Sequence, residues 1–260
     1  MKKIDAVVLA GGKMAADDPL NLEGRDGSRS LIDVCGKPMV QWVIDALSGS
    51  DAVSDLYVMG LTPQSRLEAF KPLHYLADQG SMFENIRYGA MQAAKDHPER
   101  DKILIASADI PALQPHMVDW LVEQVTHDPD QMLYYNVISQ QTMETRFPNA
   151  NRSFVRFRDI SVCGGDLNAI DQSLFTVERP VWQKLANARK HPLKQAGILG
   201  FDTLLLVALR LVTLEQAVNK VCRRLSITGR ALQCPFADLA MDADKPHQLA
   251  ILRQHIEVRA

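Results

Sequence analysis

Three short apolar runs, Ile4–Leu9 (IDAVVL), Asp55–Met59 (DLYVM) and Lys102–Ala106 (KILIA), alternate with segments of helical periodicity through the first half of the chain. Near-continuous apolar runs of this length suit strands buried on both faces. Between them the period changes. Behind Pro38, which suits a first helical turn, Met39, Val40, Val43, Ile44 and Leu47 form one stripe. Ser81-Met82-Phe83-Glu84 spells a capping box that opens a helix to about Ala94. Met117, Leu121, Val122 and Val125 mark a third helix. Strand and helix alternating over short links predict an α/β fold: a mostly parallel, twisted sheet with helices on both faces.

After Asp130 the pattern loosens. Met132–Ile138 and Phe154–Phe157 read as strands, and Arg179 to Cys222 reads as mainly helical, with a second capping box at Thr213-Leu214-Glu215-Gln216. A last short strand around Leu239–Met241 leads to a helix opening near Pro246. With no repeat and no linker-like tract, residues 1–260 are expected to form a single domain. Its C-terminal third carries a helical elaboration at about 179–225.

A formal net charge of -2 gives no reason to expect nucleic acid or an anionic membrane as a partner. The longest apolar stretch, 203–209, is too short to span a bilayer. Lys2 and Lys3 precede an apolar run, but Asp5 interrupts it and no small-residue cleavage site follows, so a signal peptide is not expected. Cys35, Cys163, Cys222 and Cys234 form no C-x-x-C pair, which fits a reducing, cytoplasmic setting and argues against zinc.

The chemistry gathers where the apolar runs end. Ala10-Gly11-Gly12 lets the backbone turn and present N–H groups to a phosphate, or makes a tight turn and nothing more. The third run delivers Ser107-Ala108-Asp109-Ile110-Pro111. In open parallel sheets ligands bind beyond the carboxyl ends of the strands, so a phosphate cradle and a carboxylate are expected to share one crevice. Lys13, Arg25 and Arg29 are either phosphate ligands or solvated loop charges, and Lys37, which precedes a helix, is either a surface charge or a phosphate contact. Arg152 and Arg156 read as the solvated face of a strand, and Cys35 as packing. Gly164-Gly165-Asp166-Leu167-Asn168 is a β-turn or a loop lining an acceptor pocket. Neither G-x-x-x-x-G-K-[ST] nor G-x-G-x-x-G is present, which disfavours a P-loop ATPase and a dinucleotide-dependent oxidoreductase.

Leu9-Ala10-Gly11-Gly12, Arg29 before Leu31-Ile32-Asp33-Val34, and Gly36-Lys37-Pro38-Met39 together resemble the nucleotidyltransferase signature. The group most similar is the NTP transferases like molybdenum cofactor guanylyltransferase, the MobA-like NTP transferase domain. Ser107–Pro111, Gly80-Ser81 and Met241-Asp242-Ala243-Asp244-Lys245-Pro246 resemble further segments of that family, in its order. The resemblance implies a nucleotide-diphospho-sugar transferase fold that moves NMP from an NTP to a small phosphorylated acceptor, with release of pyrophosphate. It implies Mg²⁺ as cofactor, held by Asp109 and Asp244, with Asp242 as the alternative to Asp244; from the residues alone Asp244 reads equally well as the cap of the final helix. Nucleotide contacts fall on Leu9, Ala10, Gly11, Gly12, Lys13, Gly80, Ser81 and Asp109, and catalytic roles on Arg29, Lys37 and Asp109. The family usually has an arginine soon after the glycines and a lysine where Arg29 stands, so the glycine loop is altered here. A non-catalytic nucleotide-binding regulator and a glycosyltransferase remain alternatives, and a homodimer is compatible with all three.

Overall fold

The computed structural model of the protein describes residues 3–12, 14–21, 23, 27–176 and 200–259. In chain order these include β1 (Ile4–Leu9), a small hairpin of β2 (Asp33–Val34) and β3 (Lys37–Pro38), α1 (Met39–Gly49), β4 (Val53–Met59), β5 (Leu73–Leu76), α2 (Met82–Asp96) and β6 (Lys102–Ser107). Then come α3 (Pro115–His127), β7 (Leu133–Ser139), α4 (Gln140–Arg146), β8 (Val155–Arg156), β9 (Ser161–Gly164), β10 (Leu167–Asp171) and α5 (Ser173–Thr176). The chain closes with α6 (Phe201–Ala208), α7 (Leu214–Leu225), β11 (Gly229–Gln233), a 3-10 turn at Ala237–Ala240 and α8 (Pro246–Arg259).

The main sheet runs β5-β4-β1-β6-β10-β7-β9-β8, with β11 also paired to β7. It is parallel from β5 to β6, antiparallel where β10 joins β6 and β7, and parallel again between β7 and β11. Alternate strand residues feed two cores. Ala6, Val8, Leu56, Val58, Leu104 and Ala106 pack under α1, α3 and α8. Val7, Tyr57, Met59, Ile103 and Ile105 face Ala90 and Ala93 of α2 and Leu174 of α5. Burial on both faces is why these strands read as unbroken apolar runs. All five residues of the Met39–Leu47 stripe are fully buried.

The caps follow the sequence in part. Thr213 and Gln216 form the complete capping box of α7. Ser81 accepts from Glu84 N at the start of α2, but the Glu84 carboxylate turns to Arg87 instead of completing the box. The expected strand at Leu239–Met241 is corrected to the 3-10 turn at 237–240. Its apolar residues are buried because the segment is wedged against the sheet end, where Leu239 O accepts from Asp166 N. Of the expected helical block, α6 and α7 are present, while residues 177–199 lie outside the described residues. Among the described residues, no helix is long and apolar enough to cross a membrane.

One turn sets the spacing at the sheet end. Gly60 follows β4 with φ +84, and a Cβ there would run into the backbone of Gly11. Only glycine allows the two loops to lie this close. Gly60→Ala should therefore cost about 1–3 kcal/mol in denaturant unfolding. A loss within about 0.5 kcal/mol of wild type, as for an ordinary surface change, would contradict this packing.

Candidate active site

The chain leaves β1 for β4 on one side and returns to β6 on the other, so β1 and β6 flank the point where the strand order reverses. Beyond their carboxyl ends lies a crevice of about 370 Å³. Leu9, Ala10, Gly11, Gly12, Arg29, Gly80, Ser81 and Asp109, all expected from the sequence, line it together. Lys13 and Arg25 lie outside the described residues. Lys37 stands apart from the lining: its Nζ is 2.8 Å from Asp45 Oδ2 and sits 4.7 Å over the Trp42 ring.

The wall formed by the glycine loop and the start of α2 is braced by residues outside the sequence motifs. Asp78 Oδ1 accepts from Gly80 N at 3.0 Å and from Asn85 Nδ2 at 2.8 Å, while Asn85 Oδ1 accepts from Gln79 N. The Asn85 amide, followed by the backbone N–H groups of Gly80 and Gly12, holds the Asp78 carboxyl below the usual range. Asp78 thus ties the loop before α2 to the glycine loop after β1. The Asp-x-Gly spelling at 78–80, an Asx turn, was the legible signal. Ser30 Oγ donates to Ala10 O at 3.0 Å, pinning the Arg29 segment to the same loop.

Three segments converge behind Asp109. Ser107 N donates to Asp166 O, Asp166 N to Leu239 O, and Ala243 N to Asp109 O. The register between β7 and the β9–β10 segment slips between the pairs Val137–Gly164 and Tyr134–Ala169, leaving Gly165-Asp166 as a bulge. Bulges re-aim side chains, and this one turns Asp166 toward Asp109 and Asp242. A Cβ at Gly164 would meet the Tyr135 hydroxyl, so a larger residue there would displace the Tyr135 side chain. Gly164–Asn168 is therefore strand and bulge, not a β-turn: Asn168 Oδ1 accepts from Asn136 N within the sheet.

The result is a cluster of like charges. Burial, reinforced by Asp242 and Asp244, raises the Asp109 carboxyl. Burial, with Asp109 and Asp242 adding to it, pushes Asp166 up to about 8. Asp242 is also raised, chiefly by burial, although Arg152 Nη1 donates to it. Asp109 Oδ1 and Asp166 Oδ2 are enclosed with no hydrogen-bond partner. Buried carboxylate oxygens without partners are costly, and an oxygen-only set suits a hard divalent cation. Asp244 is more exposed, and its Oδ1 accepts from Arg29 Nη1 at 2.5 Å, with Asp18 gripping the other Nη. Arg152, read from sequence as solvated, is only 15% exposed.

Among the described residues, the one group whose donor atoms all lie within 4.8 Å is Asp5, Asp55 and His97, at the opposite end of the strands. There Arg100 bonds Asp5 and reaches Asp55 at 3.7 Å, and His74 Nε2 lies 3.0 Å from Asp55. Arg100 already pairs with Asp5 and lies near Asp55, so the group braces the sheet.

An open sheet with a glycine loop and strand-end carboxylates at its switch point defines a nucleotide-diphospho-sugar transferase fold. The chain belongs to the MobA-like NTP transferase domain family, whose model matches residues 6–226. A hypothetical transferase from Thermus thermophilus is 29% identical, with a TM-score of 0.79 over 95% of this chain and 99% of that one. CMP:2-keto-3-deoxy-manno-octonic acid synthetase, solved in complex with CTP, shares the fold at 15% identity and a TM-score of 0.60, over 100% of both chains. A 2-C-methyl-D-erythritol 4-phosphate cytidylyltransferase from Bifidobacterium longum is 31% identical over 128 residues, which span 45% of this chain and 42% of that protein.

The raised carboxyl of Asp166 makes a pH prediction. An unfolded aspartate loses its proton near about 3.9, whereas Asp166 holds it to about 8. Stability tied to the protonated form is thus full below the unfolded value and is lost as the pH rises through the folded one. In metal-free buffer this group should lower the unfolding free energy by about 2 kcal/mol between pH 6 and pH 8. Asp166→Asn should flatten that slope, and an unchanged slope would show that Asp166 is already ionised.

Proposed function

We propose that the protein is a nucleotidyltransferase that moves NMP from an NTP to a small phosphorylated acceptor. The observation that carries this reading is the convergence of the glycine loop, Arg29 and Asp109 on one crevice, with Asp242 close enough behind Asp109 to raise its carboxyl. CTP is the first nucleotide to test, because the curated relative is a cytidylyltransferase.

Transfer requires an acceptor phosphate oxygen to form a bond to the α-phosphorus while the bond to the β-phosphate oxygen breaks and pyrophosphate leaves. Positioning and charge neutralisation are what such a reaction needs from a protein. The N–H groups of the Gly11-Gly12 turn and the start of α2 behind Ser81 orient the nucleotide. Arg29, fixed between Asp18 and Asp244, faces the departing pyrophosphate. Asp109 and Asp242 would hold Mg²⁺, which supplies neutralisation of the crowded phosphate oxygens when bound. On this reading Asp244 positions Arg29, and Asp242 replaces it as the second carboxylate. No nucleophile on the protein takes part.

CTP with Mg²⁺ should raise the melting temperature by about 5–10 °C at a hundredfold over its dissociation constant. Pyrophosphate should then be released on adding the right phosphorylated acceptor. Asp109→Asn should fold normally but turn over at least about 100-fold more slowly, a loss of about 2.7 kcal/mol in transition-state stabilisation. Retention of more than about a tenth of the wild-type rate, an effect of about 1.4 kcal/mol or less, would remove Asp109 from the chemistry.

A further inference from the structure

The segment Met241-Asp242-Ala243-Asp244 grips two arginines, one on each acid. Asp244 holds Arg29, which lines the nucleotide crevice. Asp242 holds Arg152, which lines a different pocket, of about 470 Å³, between α4 and the loop 147–154. That pocket stands at the same sheet end, since α4 begins directly after the carboxyl end of β7. Arg152 is the cation of its lining and Glu144 the acid, Phe147 and Phe154 supply apolar walls, and Gln140, Asn149 and Asn151 supply amides.

Resting on the transfer reading above, we propose that this second pocket is the acceptor subsite, with Arg152 binding the phosphate of a phosphomonoester. In-line displacement places the entering oxygen opposite the leaving one, so the two phosphate groups need cations on different sides of the carboxylates. Two arginines on alternate residues of one segment, each opening on its own pocket, meet that need. Arg152 is a built feature. Its side chain is 15% exposed, one Nη donates to Asp242, and its Nε is enclosed without a partner. A guanidinium has five donors in a fork that matches phosphate oxygens, and here the guanidinium bonds Asp242 and Cys163, which leaves further donors for a phosphate. The loop before it is held by Ala150 O, which lies 3.2 Å from His247 Nε2 and 3.4 Å from Gln248 Nε2. On either side of Ala150, Asn149 (φ 67) and Asn151 (φ 52) sit in the left-handed region. Strain of this kind gathers at ligand clamps. The amides and the apolar walls fit an acceptor with a short organic body carrying hydroxyl groups.

The test is a titration of methyl phosphate into the full-length protein with Mg²⁺ and α,β-methylene-CTP, followed by calorimetry. The wild type should bind it, and Arg152→Gln should bind it at least tenfold more weakly while keeping the nucleotide-induced melting shift. Arg152→Lys, which keeps the charge but not the fork, should fall between them and carries the test if the glutamine variant does not fold. Equal affinity in wild type and Arg152→Gln overturns the proposal, as does the absence of methyl phosphate binding by the nucleotide-loaded wild type. If the wild type takes up no nucleotide at all, the transfer reading fails by itself, and the arginine dependence is read with Mg²⁺ and methyl phosphate alone.

Discussion

Acidic groups crowded and buried together at one end of a sheet govern this structure. Asp109, Asp166 and Asp242 come from three distant parts of the chain, and each carboxyl is raised by burial and by its neighbours. Three backbone hydrogen bonds, Ser107 to Asp166, Asp166 to Leu239 and Ala243 to Asp109, hold the carboxylates there. Hydrophobic burial on both sheet faces supplies the free energy that offsets this local repulsion. The arrangement makes chemical sense when positive charge arrives from outside the chain.

The two ends of β1 show the contrast. At the amino end, Asp5 and Asp55 face Arg100, His74 and His97, with Arg100 the cation among them, although Asp5 Oδ2 is enclosed without a partner there too. At the carboxyl end, Arg29 and Arg152 engage Asp244 and Asp242 at the margins, while oxygens of Asp109 and Asp166 stay enclosed and unpartnered between them. The amino end carries a cation of the chain's own in Arg100, and on the proposed reading the carboxyl end takes its cation from a ligand. The arginines at its margins keep their alignment because Asp18 and the loop around Ala150 hold them from behind.

The parallel half of the fold was legible because its strands are buried on both faces and its helices carry one apolar stripe each. Gly11, Gly12, Gly80, Ser81, Arg29 and Asp109 were legible because motif order follows sheet order, which brings them to one crevice. The rest depended on tertiary events that leave faint local marks. Asp166 reaches the cluster through a bulge, and a run such as GGDLN spells a turn equally well. Arg152 alternates with apolar residues like a surface charge, yet a partner 90 positions away buries it. Leu239–Met241 is apolar because it is wedged, not because it is a strand. Lys37 occupies its motif position but spends its charge on Asp45.

The most direct measurement is anomalous diffraction from crystals grown with Mn²⁺ and α,β-methylene-CTP. The account predicts a manganese peak bounded by Asp109 and Asp242, with the triphosphate running along Gly11-Gly12 toward Arg29. A metal peak only at Asp5, Asp55 and His97, or a nucleotide seated away from the β1–β6 switch point, would contradict it.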